Sequence, residues 1–295
     1  MLAQAVLVAA LVLLLPLVRP ARIGADAGGV VRAIFYFAAL GLGFLFGPAL
    51  AGALVRFGYH VPFAVATGLE LLTVLMTIVL LPESKRTVQG APTFAEVRAS
   101  LGSPVLGRLL LTQFVFWFAF TSWVTVFALF AERVLGFGAS QTSYVFIVSS
   151  IVGIVVQAGL IGRLVDRFGE GLIAVAGLVC GIAAYTGVGF VTTAAVLYVF
   201  VVAWAFSNAL IRPALDTLIS EAAPPGQRGT ILSINDSLHN VAFLFAPFVS
   251  TAVLRLNPHG VGIVPALSSI VALLLGYRLF TAPRATAAAA VPEAA

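Results

Sequence analysis

Apolar residues run in long stretches along this chain of 295 residues, and Gly, Pro and charged residues interrupt them. Several stretches have about 20 residues, which is the length a helix needs to cross a hydrocarbon core about 30 Å thick. The pattern predicts an all-α polytopic membrane protein. About nine spanning helices are expected, at 2–18, 33–55, 62–82, 105–131, 141–162, 171–190, 194–219, 230–254 and 260–281.

The longest polar stretch is "PESKRTVQGAPTFAEVRASLGSP", residues 82–104. It predicts a division into four parts: three spans in 1–82, a cytoplasmic loop at 83–104, six spans in 105–282 and a disordered cytoplasmic tail at 283–295. Within the loop, Thr93 and Glu96 have the spacing of a capping box, so a short surface helix is expected near 94–101.

Composition and charge agree with a membrane location. Hydrophobic residues make up 61% of the chain and charged residues 9%, against roughly 25% charged residues in soluble domains. If the C-terminus is cytoplasmic, only Arg56, Arg133 and Arg255 among the basic residues lie outside, as the positive-inside rule requires. The net charge of +5 is spread over short loops. We therefore expect a plasma-membrane protein whose partner is the lipid bilayer and not nucleic acid, with an oligomeric state that the sequence leaves unknown.

Several kinds of chemistry find no support. One cysteine, Cys180, cannot form an internal disulfide. The histidines His60, His239 and His259 fall in two loops and one span, so no metal site is expected. The motifs of zinc proteases, serine hydrolases and phosphate-binding loops are absent. The chain is predicted not to be an enzyme and to use no cofactor.

An internal repeat relates two parts of the chain. "GFLFGPALAG" at 43–52 and "AFLFAPFVST" at 242–251 share Phe, Leu, Phe and Pro at an offset of 199 residues, and His60 and His259 keep that offset. Such repeats occur in transporter folds. At this offset, the counterparts of the three helices that begin at 105, 141 and 171 would precede residue 1. The sequence thus predicts a twelve-helix design shortened at its N-terminus.

Two motifs carry a resemblance to the major facilitator superfamily of transporters. "GRLVDRFGE" at 162–170 resembles the cytoplasmic signature of that family, although Glu170 replaces a basic residue. It matches at Gly162, Leu164, Asp166, Arg167 and Gly169. "GFLFGPALAG" resembles the antiporter signature of the family, although Ala51 replaces a glycine. It matches at Gly43, Gly47, Pro48 and Gly52.

The resemblance implies roles for both motifs. The first acts as a latch that forms and breaks as two halves rock, with Arg32 as the expected partner of Asp166; alternatively, its charges only enforce topology and cap a helix. Glycines 162 and 169 would make the turn tight and let helices approach. The second motif seals the transporter against leak; alternatively, it reflects close helix packing and a proline kink.

Polar residues inside spans are candidates for substrate or proton binding because ionisable groups in a membrane are costly. By resemblance, a cavity is lined by Gln113, Trp117, Thr121, Trp204 and Asn208; alternatively, the aromatic residues face lipid. Arg212 could act there or form a pair with Asp216 four residues away.

Asp236 and His239 could carry protons, since Asn235 with His239 and Asp236 with Asn240 have helical spacing and would form a broad polar face. Alternatively, Asp236 is a solvated helix-end residue. Glu70 in the 62–82 span is a further isolated charge.

The resemblance implies a fold with a complete C-terminal half of six helices and a partial N-terminal half. It also implies a secondary active transporter that exports a small amphipathic or drug-like molecule by alternating access, driven by the proton gradient. The alternatives are an uptake symporter or facilitator of the same superfamily, and a truncated membrane protein that does not transport.

Overall fold

The computed structural model describes residues 46–80, 92–224 and 226–281, and within these ranges all regular structure is helical. We number the α-helices in chain order. They are α1 (Phe46–Phe57, ending in a 3-10 turn), α2 (His60–Leu80), α3 (Phe94–Gly102), α4 (Leu106–Leu135), α5 (Ala139–Val155), α6 (Ile161–Val188), α7 (Ala194–Ala222), α8 (Arg228–Leu256) and α9 (Ile263–Phe280).

Five stretches of the described chain are long and apolar enough to cross a membrane. They are Leu106–Leu135, Ala139–Val188, Ala194–Ala222, Arg228–Leu256 and His259–Phe280. These stretches agree with the predicted spans from residue 105 onward, and α2 agrees with the predicted span 62–82. The predicted span 2–18 lies outside the described residues, as does most of 33–55. The number nine therefore stays a prediction.

One predicted connection is shorter than expected. The helices predicted at 141–162 and 171–190 are joined by a kink and not by a loop, since α5, a π-helical segment at Val156–Leu160 and α6 follow one another directly. The chain bends inside α6 at Gly169, whose φ of 78° and ψ of 159° are not helical. Glycine tolerates this backbone region because it has no Cβ. The change of direction is thus made at one residue.

The described residues form two compact units, the first comprising those up to 80 with 137–154 and the second comprising 92–136 with 155–281. In the first unit, α1 and α5 approach closely at Gly52. A Cβ built there would lie 2.8 Å from Cβ of Ser143, and the Ser140 hydroxyl donates to the Gly52 carbonyl at 3.4 Å. Gly47 is buried as well. The close-packing interpretation of this motif is confirmed at Gly52, and Gly43 lies outside the described residues.

In the second unit, small residues bring α6 and α7 together. A Cβ on Gly177 would lie 2.5 Å from Ile211, and one on Gly181 would lie 2.7 Å from the Ser207 hydroxyl. That hydroxyl donates to the Gly177 carbonyl at 2.8 Å. Close approach and a buried hydrogen bond are the means by which helices associate in lipid, where apolar side chains gain little by leaving the solvent.

Long apolar side chains fill the rest of this unit between α4, α6, α7 and α8. The largest of those that are fully buried are Leu110, Trp123, Phe127, Phe130, Leu178, Leu197, Ile211, Leu215, Ile219, Ile231, Ile234 and Leu254. They hold in place the three helix faces that carry the polar residues described below.

The short helix predicted near 94–101 is confirmed as α3. The Thr93 hydroxyl accepts from the backbone N–H of Glu96 at 3.3 Å, and the Glu96 carboxylate accepts from the backbone N–H of Thr93 at 2.7 Å. This reciprocal arrangement is the capping box that the sequence indicated.

Candidate functional site

Polar and aromatic side chains recur every four residues on one face of α4, α7 and α8 in the second unit. This spacing places successive residues one above another on a helix. We call these residues, together with the aromatic residues that contact them, the polar–aromatic cluster. Its members are Gln113, Trp117, Phe120, Thr121 and Trp123 on α4, Tyr185 on α6, Trp204, Asn208, Arg212 and Asp216 on α7, and Asn235 and His239 on α8.

At one end of the cluster, a hydrogen bond joins α4 to α7. Nε2 of Gln113 donates to Oδ1 of Asp216 at 2.9 Å. Gln113 is 1% exposed, and Asp216 is half-buried. The sequence suggested Arg212 as the partner of Asp216, but the structure gives this carboxylate a hydrogen-bond donor from another helix.

In the middle of the cluster, two side chains from other helices contact one indole ring. The imidazole of His239 stacks on Trp117 with 3.8 Å between ring centroids and 24° between planes. The guanidinium carbon of Arg212 lies 5.3 Å from the centroid of the same indole ring, within the range of a cation–π contact. Arg212 and His239, predicted from separate motifs, therefore meet at Trp117.

At the other end, Trp204 connects α7 to α6 and α4. Its Nε1 donates to the Tyr185 hydroxyl at 2.9 Å, and its ring lies 5.8 Å from both Phe120 and Trp123. The amide nitrogen of Asn208 donates to the Trp204 carbonyl at 2.7 Å. Because Gln113 contacts Asp216 while Phe120 contacts Trp204, α4 and α7 run antiparallel.

The alternative that these indoles face lipid is wrong. Trp117 is 8% exposed and Trp204 is 5% exposed, so both rings are enclosed by neighbouring helices. Tyr185 and Phe120 were not among the predicted site residues. The phenol group of Tyr185 within a strongly apolar span was the signal that could have identified it, since a buried hydroxyl requires a partner.

Several buried polar atoms of this region have no hydrogen-bond partner among the described residues. They are Oε1 of Gln113, Oγ1 of Thr121, Oγ of Ser122, Oδ1 of Asn208, Oδ1 of Asn235 and Nε2 of His239. An unsatisfied buried group costs about 1–3 kcal/mol, and such groups are rare in native proteins. The cluster can therefore offer hydrogen-bonding capacity to a proton, to water or to polar groups of a ligand.

The predicted polar face at the start of α8 is divided in the structure. Asn235 is buried and His239 is half-buried against Trp117, whereas Asp236 and Asn240 are exposed. Residues one position apart point about 100° apart around a helix, which separates the two pairs. The solvated alternative for Asp236 agrees with its exposure.

The glycine-rich cytoplasmic motif lies in α6. Asp166 and Arg167 are exposed, and the guanidinium carbon of Arg167 lies 5.4 Å from the Phe168 ring. No described atom lies within 4 Å of a Cβ built on Gly162, so the close helix approach expected there is absent from the described part of the chain. Arg32, the expected partner of Asp166, lies outside the described residues.

Close approach occurs instead at Gly171, which the sequence did not single out. A Cβ built on this residue would collide with the carbonyl group of Phe280 at the end of α9. Elsewhere in the described ranges, no group of three or more His, Cys, Asp or Glu side chains could hold a metal ion.

Comparisons with known proteins give one consistent result. The family model described as Major Facilitator Superfamily matches residues 28–247 and 158–295. The chain is 28% identical over 236 residues to Multidrug resistance protein 2 of Bacillus subtilis (strain 168), which covers 75% of this chain. It is 22% identical over 222 residues to Tetracycline resistance protein, class B, of Escherichia coli, which covers 73% of this chain.

The fold is similar to that of a solved structure, the human organic anion transporter MFSD10 (TETRAN). The TM-score is 0.63 with 22% sequence identity, and the match covers 83% of this chain and 62% of that one. The matches cover 57% of the Bacillus protein and 55% of the Escherichia protein. This chain thus spans a little over half the length of these curated relatives.

Proposed function

The chain belongs to the major facilitator superfamily, a family of membrane transporters and not of enzymes, and we propose that it works by alternating access. In this proposal, it is a secondary active transporter that exports a small amphipathic molecule in exchange for protons. It needs no cofactor, because the proton gradient supplies the energy.

The polar–aromatic cluster is the observation that carries this proposal. Phe120 is a half-buried aromatic ring beside the buried rings of Trp117 and Trp204, and Arg212 and Asp216 provide a basic and an acidic side chain close by. An amphipathic molecule has the same combination of an aromatic or aliphatic body and a polar group. Sites of this kind bind the body by contact area and select orientation through a few polar groups.

The names of the relatives support export of drug-like compounds. Two of them are named for multidrug resistance and one for tetracycline resistance. Resistance by a membrane transporter requires that the compound leaves the cell. Export is therefore favoured over uptake or facilitated diffusion.

Orientation and gating complete the proposal. We place the C-terminus in the cytoplasm because the basic residues then follow the positive-inside rule. The motif at 162–170 then lies at the cytoplasmic surface, where the pair of Asp166 with Arg32 would form in one state of the transporter and break in the other. Asp166 is exposed, as a contact that opens and closes requires.

Transport by the purified chain in liposomes tests the proposal. With an acidic lumen, we expect tetracycline or the aromatic cation ethidium to accumulate inside, and a protonophore should abolish the accumulation. Equilibration without accumulation would indicate a facilitator, and accumulation only under the opposite gradient would indicate a symporter. Absence of movement for a panel of amphipathic compounds would support the non-transporting alternative.

A pair of aromatic variants links this transport to the cluster. Replacing Trp117 by Ala removes the ring that His239 and Arg212 contact, and we expect initial transport rates to fall about ten-fold, which corresponds to about 1.4 kcal/mol. The matched control is Phe190→Ala, because Phe190 is 77% exposed and outside the cluster. Equal losses in both variants would argue against a substrate role for Trp117.

A further inference from the structure

We propose that Asp216 is the group that carries the transported proton. We also propose that the side-chain amide of Gln113 rotates when Asp216 gains or loses this proton. The inference rests on the proposed proton coupling and assigns it to named atoms. It replaces Asp236 by Asp216 as the proton-binding carboxyl group and gives Gln113 a positioning role.

The location of Asp216 is the first argument. A group that carries a proton between two compartments must be shielded from at least one of them at any moment. Asp216 is half-buried on α7 and bound to a side chain that is 1% exposed, whereas Asp236 is exposed. A carboxyl group in permanent contact with water exchanges its proton with one compartment at all times and cannot be shielded.

The hydrogen bonds of Gln113 are the second argument. Its Nε2 donates to Asp216 at 2.9 Å, while its Oε1 is buried without a partner. A side-chain amide offers a donor on one side and an acceptor on the other. Rotation by half a turn would present Oε1 to Asp216 in place of Nε2.

This asymmetry allows the amide orientation to respond to the proton. When Asp216 is ionised, it can only accept, so Gln113 must present its N–H group. When Asp216 gains a proton, its new O–H group donates to Oε1 once the amide has rotated. In the present orientation, Oε1 has no hydrogen-bond partner among the described residues, so the rotation breaks no hydrogen bond at that end of the amide.

Two further side chains interact electrostatically with Asp216. Arg212 is a cation on α7, and Asp236 is a second acidic residue on α8. His239, the titratable group of α8 inside the cluster, is influenced by the same two charges. From α4, the residue that contacts Asp216 is the uncharged Gln113. Movement of α8 relative to α7 would change the interactions of Asp216 with Arg212 and Asp236, and Asp216 would then release or bind the proton.

Protonation would also change how strongly α4 is held to α7. A hydrogen bond from an amide to a carboxylate is charge-assisted and roughly twice as strong as a neutral one. Adding the proton converts the link between these helices from the stronger kind to the weaker kind. The rocking motion of alternating access could then respond to the proton through this link.

Infrared difference spectroscopy of the whole chain in liposomes, between alkaline and acidic pH, tests the inference directly. In the unmodified protein, we expect the carbonyl band of a protonated carboxyl group to appear together with a shift of a glutamine amide band, identified by isotope-labelled glutamine. Asp216→Asn should abolish both signals. Gln113→Met, similar in size and without hydrogen bonds, should abolish the amide shift and move the carboxyl band.

Two further variants complete the spectroscopic test. Glu221→Gln changes an exposed carboxyl group on the same helix, and it should leave both signals unchanged. Asp236→Asn should also retain them. The inference is wrong if the carboxyl band persists in Asp216→Asn, if it disappears in Asp236→Asn, or if the unmodified protein shows no amide shift.

Transport measurements separate failure of the inference from failure of the proposed function. Without a gradient, Asp216→Asn should still exchange substrate across the membrane. Under a pH gradient, its accumulation of substrate should be about ten-fold lower than that of the unmodified protein, which is equivalent to about 1.4 kcal/mol. If this variant still accumulates substrate fully, Asp216 is not the carrier although the transporter is proton-coupled. If the unmodified chain shows both infrared signals but no transport, the proton site stands and the proposed function fails.

Discussion

For individual residues of the cluster, the sequence specifies the helix face on which they lie, and the tertiary fold specifies the residues that they contact. The spacing of four between Trp204, Asn208, Arg212 and Asp216 is written in the sequence and places them on one helix face. Their contacts with Gln113, Trp117 and Tyr185 come from helices distant in sequence. The sequence pattern therefore identified the polar face of α7 but not the residues of other helices that contact it.

The buried bond between Trp204 and Tyr185 gives a prediction at this scale. Tyr185→Phe removes the acceptor of the indole N–H group, and we expect about 1 kcal/mol of destabilisation, because buried side-chain hydrogen bonds in membrane proteins contribute about 0.6 and at most about 1.7 kcal/mol. The midpoint of unfolding in detergent measures this destabilisation. Tyr144→Phe is the control, since Tyr144 is 59% exposed. Equal shifts in the two variants would contradict the assignment.

Among the elements, α3 is a short helix whose stability depends on its cap. Nine residues are too few for a helix to persist in water without such support. The cap also makes α3 sensitive to pH, since hydrogen bonds from the backbone N–H and then the hydroxyl of Thr93 lower the pKa of the Glu96 carboxyl group below its usual 4.5. The lowered value is that of the folded state.

The contribution of Glu96 to α3 should therefore be fully present above pH 4.5 and be lost as the pH falls through the lowered value. Hydrogen exchange of the backbone amides of residues 94–102, measured as a function of pH, reports this contribution. Thr93→Ala should weaken the dependence, because it removes the hydroxyl but keeps the backbone N–H donor, and it should cost about 1 kcal/mol of local stability at neutral pH. Ser100→Ala, in the same helix and outside the capping box, should retain the dependence. A pH profile unaffected by Thr93→Ala would refute this account.

Gly169 decides how α6 changes direction. Its φ of 78° with ψ of 159° lies in a region open essentially to glycine, so Gly169→Ala should lower the free energy of unfolding by about 1–3 kcal/mol. Gly162→Ala is the matched control in the same motif, because no described atom lies within 4 Å of the added Cβ. Thermal unfolding of both variants measures the difference. Similar midpoints would show that the bend does not depend on Gly169.

At the scale of the whole molecule, the two halves of the repeat keep their likeness where the structure describes both. Pro48 and Pro247 lie within helices α1 and α8, and His60 and His259 each follow the end of such a helix. The family match confirms the fold that the two motifs indicated. The twelve-helix ancestry of the chain stays a prediction.

The sequence by itself determined the membrane location, the spans from residue 105 onward, the cap of α3 and the family. These follow from local composition, from spacing and from motifs, which need no knowledge of distant contacts. The tertiary structure decided that Asp216 binds Gln113, that His239 and Arg212 share Trp117, and that the bend occurs at Gly169. Such contacts depend on how each helix is rotated about its axis and how deep it lies in the membrane. The apolar pattern of the sequence says little about either, because nearly every face of these helices is apolar.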